Sequence, residues 1–180
     1  HALRVLAADV GGTYARLGLV DLADDGFHVG FHRRYTCAAF PSLASVLRQF
    51  RSEAEAAGER DIPKVCVVAI AGVLQGDALL NGNLAWPVSL AATRRDAGIA
   101  QLHLVNDFEA LAWALPRIPQ AQFQPLGDAR GLPLPVLLLG PGTGLGAALL
   151  VEHAGRLVVQ PSEAGQAALG QARRWSLRLY

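Results

Sequence analysis

The segment LRVLAADVGGTYARLGLVD, residues 3–21, constrains the fold more than any other stretch. Leu3, Val5, Leu6, Ala7 and Ala8 form a short apolar run, the pattern of a strand buried on both faces. Asp9 closes that run, where such a strand opens into a cleft. Gly11 and Gly12 lack β-carbons, so backbone N–H groups there can face outward and approach an anion closely. Thr13 adds a hydroxyl donor. Beyond it Ala15, Leu17 and Leu19 alternate with Arg16, Gly18 and Val20, as in the return strand of a hairpin. A carboxylate facing N–H donors suits a phosphate and its Mg²⁺. The donors hold the phosphate and Asp9 holds the ion, directly or through water. The same residues also make a ligand-free hairpin with a capping Asp, because short glycine motifs recur by chance.

The following segments supply a frame for that hairpin. Residues 27–35 read as a third strand, with Gly26 as its turn. Pro41 then opens a helix running to Ala57. Leu43, Val46, Leu47, Phe50, Ala54 and Ala57 share one face of it, and Gly58 stands where a C′ glycine belongs. Residues 65–70, VCVVAI, form a buried central strand. Asn81-Gly82 is a turn dipeptide, and turn chemistry alone accounts for Asn81 and Asn83. A second helix spans 89–97 with Ser89 as its cap. The strand 102–105 runs into Asn106-Asp107 and at once into a helix that Pro116 stops. Asp107 is either that helix's N-cap or a carboxylate aimed into a crevice beyond a strand's carboxyl end. Hairpin strands, a helix, then buried strands make an α/β pattern with mixed pairing.

Residues 120–135 read as a connection into a second lobe. The strand 136–139, the turn GPGTGLG and the strand 147–151 then repeat the opening logic of strand, glycine turn with Thr, strand. Two such turns facing each other across a cleft would grip a nucleotide's phosphates from both sides. A Walker-type loop is excluded, because it needs Lys after its last glycine and the chain's one lysine is Lys64. The dinucleotide fingerprint fails too, since Leu145 stands at its third glycine and a strand follows. After a strand at 157–160, Glu163 and Gln166 flank a glycine-containing loop. Either they aim at hydroxyls or they are ordinary polar residues of an exposed loop.

Composition narrows the classes. A length of 180 residues suits one domain, or one domain and part of another, and a net charge of +1 suggests neither a nucleic-acid nor a membrane partner. Cys37 and Cys66 have no metal-ligand spacing, so zinc and a disulfide framework are not expected. No stretch is apolar for long enough to cross a bilayer, and the N-terminus lacks signal-peptide regions, which makes a reduced cytoplasm the default expectation. The chain has no Met, so His1 reads as a processed or an artificially made end.

Taken together, the motifs resemble the bacterial glucokinases, hexose kinases of the actin/Hsp70/hexokinase ATPase superfamily. Asp9-Val10-Gly11-Gly12-Thr13 matches the family's first phosphate motif, and Asn83-Leu84-Ala85-Trp86 looks like its Asn-x-x-Trp segment. Asn106-Asp107-Phe108-Glu109-Ala110 matches the segment with the catalytic aspartate. Residues 140–146 match the second phosphate motif, and residues 161–166 lie where the family has its sugar-binding Glu-Gly-Gly-His. There are departures: Tyr14 stands in place of Asn, Ala164 in place of Gly, and Gln166 in place of His. The family also continues well beyond this length, so the chain resembles its N-terminal half.

The resemblance implies an α/β, ribonuclease H-like (actin-like ATPase) domain with a mixed sheet at 1–109, and at 110–180 the beginning of a larger second lobe. It implies transfer of the ATP γ-phosphoryl group to the 6-hydroxyl of glucose, with Asp107 catalytic. Asn83, Asn106, Asp107, Glu163 and Gln166 would bind the sugar. Gly11, Gly12, Thr13, Gly142, Thr143 and Gly144 would line the phosphates, with Asp9 holding Mg²⁺ through water. Glucose and ATP are then the partners, and a homodimer stays open. Two alternatives stand beside this reading. One is a non-catalytic relative that senses sugar or nucleotide. The other is an inactive fragment in which Asp9 and Asp107 are only turn and cap residues.

Overall fold

The computed structural model describes residues 3–24, 26–80, 83–128, 131–141 and 145–162. The chain divides into two compact units, His1–Ala110 and Leu111–Tyr180.

The first unit is built on a five-stranded mixed sheet. Strands β1 (Leu3–Val10), β2 (Tyr14–Ala23) and β3 (Gly26–Thr36) follow one another as antiparallel hairpins. The helix α1 (Leu43–Ala56) carries the chain back to β4 (Val65–Ile70), which lies parallel to β1. Three short strands follow, β5 (Val73–Gln75), β6 (Ala78–Leu80) and β7 (Val88–Ser89), and they form a separate small antiparallel sheet. The helix α2 (Leu90–Ala97) then leads to β8 (Gln101–Val105), parallel to β4. The order across the main sheet is β3-β2-β1-β4-β8. The small sheet had no counterpart in the sequence reading, because strands of two or three residues show no measurable alternation.

Alternation along the long strands decides which face is covered. Leu6, Ala8 and Val10 of β1 are buried, as are Cys66, Val68 and Ile70 of β4. They pack in one cluster with Leu43, Val46, Leu47, Phe50 and Ala54 of α1. Each Val, Leu, Ile or Phe among them contributes about 1.5–3 kcal/mol when fully buried. On the other face of β1, Val5 is buried, Ala7 is half-buried, and Leu3 and Asp9 are exposed. The expectation that β1 is buried on both faces therefore holds in the middle of the strand and is corrected at its two ends.

Helix ends follow local chemistry. Pro41 does not open α1. Ser42 caps it, with a reciprocal pair of hydrogen bonds to Ser45. At its C-terminus, Gly58 (φ 90°) donates to Glu55 O and Glu59 to Ala54 O, the two bonds of a Schellman motif. Ser89 caps α2 by accepting from Ala92 N–H. Asp77, from the β5–β6 turn, reinforces that end. Its carboxylate accepts from Ser89 Oγ and from Ala91 N–H, and its backbone carbonyl accepts from Leu90 N–H.

These contacts hold Asp77 ionised below the ordinary carboxylate range, the Ser89 hydroxyl being the larger cause and Ala91 N–H the next. A depressed carboxylate pKa stabilises the fold above the unfolded-state value of about 4, and that contribution disappears as pH falls through the lower folded value. Asp77→Asn is thus expected to lower the melting temperature at pH 7. The gap to wild type should close below about pH 4. Thermal unfolding between pH 3 and 7 checks this, and a gap independent of pH would show that the charge is immaterial.

The second unit contains β9 (Val136–Pro141), β10 (Leu145–His153) and β11 (Arg156–Ser162), an antiparallel sheet in the order β11-β10-β9. Pro141 pairs with Leu145, so β9 and β10 are neighbouring antiparallel strands. The strand that begins at Leu145 agrees with the exclusion of a dinucleotide fingerprint, which requires a helix there. Among the described residues no helix is long and apolar enough to cross a membrane.

Candidate active site

Register brings two of the expected carboxylates to one edge of the first unit. Asp9 of β1 pairs with Ala69 of β4, and Ala69 with Val105 of β8. The three strands are parallel, so Asp9 and Val105 stand in one row, about 10 Å apart at the usual inter-strand spacing. Asn106 and Asp107 come directly after Val105, beyond the carboxyl end of β8. Ligands of open α/β sheets bind at this edge.

The helix α3 (Asp107–Ala114) settles which of the two neighbours is its cap. Asn106 Oδ1 accepts from Phe108 N–H at 3.0 Å and from Glu109 N–H at 3.2 Å, and Asn106 O accepts from Ala110 N–H at 2.9 Å. Asn106 is the N-cap, and the capping role read for Asp107 is corrected. Asp107 is the first helical residue and is half-buried. Among the described residues, its carboxylate is reached by one hydrogen bond, from Phe108 N–H at 2.9 Å. A carboxylate in a first helical turn is also favoured by the helix dipole. With Asn106 Oδ1 engaged in the cap, the amide NH₂ is the part of that side chain left to donate elsewhere.

The turn between β1 and β2 is organised differently from the sequence reading. Gly11 N–H donates to Tyr14 O at 2.9 Å and so closes the turn rather than facing outward. A Cβ on Gly12 would lie 2.5 Å from Asn83 O, so the bare side of Gly12 is filled by the chain itself. The N–H groups of Gly12 and Thr13 form no hydrogen bond among the described residues. With the Thr13 hydroxyl, they are the donors this turn can offer an anion. Thr13 O accepts from Cys37 N–H at 2.8 Å, and Cys37 Sγ–H donates weakly to Gly11 O at 3.5 Å.

Asp9 and Arg16 face each other across β1 and β2, with Arg16 Nη1 3.3 Å from Asp9 Oδ2. Both side chains are more than half exposed, so this pair holds loosely, at about 0–1 kcal/mol. Beside it the Arg34 guanidinium lies 4.7 Å over the Tyr14 ring. The residue that departs from the family pattern is thus stacked under a cation at the lip of the turn.

Asn83 is exposed, and its backbone rests on Gly12. Gly142, Thr143, Gly144, Glu163 and Gln166 lie outside the described residues. Sequence reasoning missed Cys37 and Trp86. Cys37 was read only for metal or disulfide spacing, and it is a buried thiol whose pKa burial pushes up. Trp86 was recognised as part of a motif, with no role attached.

Comparison with known proteins places the chain in a family. A protein-family model described as Glucokinase matches residues 6–180. A glucokinase-like protein of Xylella fastidiosa (strain Temecula1) is 43% identical over 182 residues, covering 97% of this chain and 52% of that protein. A glucokinase of Nitrobacter hamburgensis is 37% identical over 175 residues, covering 95% of this chain and 51% of that protein. The crystal structure of a glucokinase from an Antarctic psychrotroph superposes with a TM-score of 0.72 at 31% identity, over 90% of this chain and 50% of the other. A hexokinase from Schistosoma mansoni shares the fold at 15% identity and a TM-score of 0.56. With the glucokinase likeness, this gives the first unit's mixed α/β sheet an actin-like ATPase fold. The chain spans about half the length of the curated relatives it matches.

Proposed function

This chain belongs to the glucokinase family, and from that premise we propose that the complete protein transfers the γ-phosphoryl group of ATP to the 6-hydroxyl of glucose. The observation that carries the reading is the division of labour at the start of α3. Asn106 satisfies the helix end, and Asp107 presents its carboxylate at the same sheet edge as Asp9 and the glycine turn.

In the proposed reaction Asp107 orients the sugar 6-hydroxyl and accepts its proton. The hydroxyl oxygen bonds to the γ-phosphorus, the bond from that phosphorus to the bridging oxygen breaks, and ADP leaves. Such a loose transition state needs positioning and charge stabilisation more than a strong base. Asn106, through its amide NH₂, and Asn83, Glu163 and Gln166 are proposed to bind other sugar hydroxyls. A site built of polar groups rejects analogues lacking the matching hydroxyl. Gly12 and Thr13 offer N–H donors and the Thr13 hydroxyl to phosphate, with Gly142, Thr143 and Gly144 proposed for the second turn. Gly11 contributes by closing the first turn.

The exposed Asp9 carboxylate fits a Mg²⁺ ion, which keeps several waters and is shared with substrate phosphates rather than caged by protein. When bound, the ion neutralises charge on the β- and γ-phosphates. The loose Arg16 contact leaves Asp9 able to change partner. The second unit is proposed to begin the larger lobe.

Gln166, in place of the family's His, favours a second reading: a sugar- or nucleotide-binding relative that senses rather than transfers. Glucose-dependent ADP release with matching glucose 6-phosphate, measured on the full-length protein, tests the two. Stoichiometric product is expected. Glucose binding without product would favour the sensor, and no hexose binding at all would remove the sugar from both.

A further inference from the structure

We propose that Trp86 is a positioning residue serving both substrates, because it ties the sugar-binding segment and the phosphate turn into one closed ring. The inference rests on the roles proposed above for Asn83 and for the turn at Gly12 and Thr13.

The ring can be followed residue by residue. Trp86 is buried, with 7% of its surface exposed. Its indole N–H is shared between Phe40 O at 3.0 Å and Cys37 O at 3.3 Å. A buried Trp takes such partners because its one polar group is otherwise left unsatisfied. Cys37 then reaches the turn directly, through its N–H to Thr13 O and its thiol to Gly11 O. On the other side, three residues before Trp86, the Asn83 carbonyl occupies the space that a Gly12 Cβ would take. The segment that carries Asn83 therefore meets the turn twice, once by contact at Gly12 and once through Trp86 and Cys37.

Most members of this ring engage through backbone groups, which substitution cannot remove. The Trp86 N–H is the side-chain bond on which the geometry depends, since it alone serves two carbonyls. Losing it leaves Cys37 O and Phe40 O without that donor. The Cys37 turn can then shift, and with it Thr13 and Gly11. The same loss releases the residues leading to Asn83. Gly12 acquires a role beside its N–H donor: its missing Cβ seats the segment that carries Asn83.

The test uses the full-length protein and titrates glucose and ATP separately by calorimetry, with KM and kcat measured alongside. Trp86→Phe keeps an aromatic ring and removes the donor, at the cost of some buried volume, so the melting temperature is read beside the affinities. The variant is expected to weaken both ligands by roughly threefold to tenfold, the effect of one lost hydrogen bond, with KM values rising more than kcat falls. Gly12→Ala is the second variant. It is expected to weaken glucose as well as ATP, because the new methyl group displaces Asn83. A purely structural Trp86 would lower the melting temperature and leave both affinities unchanged, which overturns the proposal. A Gly12→Ala protein that loses ATP affinity alone overturns it too, and decides the matter if Trp86→Phe does not fold. If the wild type binds no hexose, the functional reading falls. The ring is then judged on ATP, where unchanged affinity in Trp86→Phe is the refuting result.

Discussion

Replacing Asp107 by Ala in the full-length protein is expected to lower glucose phosphorylation by about 10²–10⁴-fold, the usual effect of removing a positioned general base. Stability should change little. Had Asp107 been the N-cap, its loss would cost roughly 1 kcal/mol. That role belongs to Asn106, whose side-chain oxygen takes Phe108 and Glu109 N–H. What Asp107 adds to the fold is a shared bond to Phe108 N–H and a favourable charge in the first turn, about 0.3–1 kcal/mol. Asn106→Ala is therefore the control. It should lose more stability than Asp107→Ala and less of the turnover. Initial rates and thermal unfolding on the two variants give the comparison directly. Near-normal turnover in Asp107→Ala would remove its catalytic role.

The reason this distinction could not be drawn from the chain alone is instructive. Asn and Asp are both good caps, and they are adjacent. A one-residue shift of the helix start exchanges their roles, and apolar periodicity locates a helix end only to within a residue or two. The position of the strand end at Val105 decides it. By contrast, Gly58 and Ser89 were legible, because each sits next to a strongly periodic helix and has chemistry suited to one place there. The hairpins were legible for the same reason, since glycine turns interrupt clear alternation on both sides.

The candidate site was legible as residue types and only partly as geometry. Gly11 and Gly12 announce a turn, and the sequence does not say which of them needs its missing β-carbon or what fills the space. At Gly11 a Cβ would meet Tyr14 O at an ordinary 3.6 Å, so the space is not what is used there. At Gly12 the space is filled by Asn83 O, from a segment far along the chain. Trp86 and Cys37 are 49 residues apart and bond through a backbone carbonyl, a group that carries no mark in the sequence. Contacts between side chains leave compositional traces, whereas contacts to backbone leave few. The support of the β1–β2 turn is almost wholly of the second kind.

The largest effect on stability is expected at Phe50. It lies on the inner face of α1 and is fully buried. Its ring meets Phe31 at 5.4 Å between centroids with a 51° tilt, an arrangement favoured by the ring quadrupoles. Leu43, Val46, Leu47 and Ala54 surround it on the same helix face, and α1 covers the sheet that carries Asp9. Phe50→Ala removes a ring from close-packed surroundings that relax only in part, at a cost of about 3–5 kcal/mol. Domains of this kind have roughly 5–15 kcal/mol in total, so the variant stands near the limit of folding. Phe50→Leu keeps most of the apolar volume and should recover most of the loss. Denaturant titration followed by circular dichroism on wild type and both variants measures the order. A Phe50→Ala protein within about 1 kcal/mol of wild type would mean that the α1 face does not carry this core, since even modest truncations of a filled core cost that much.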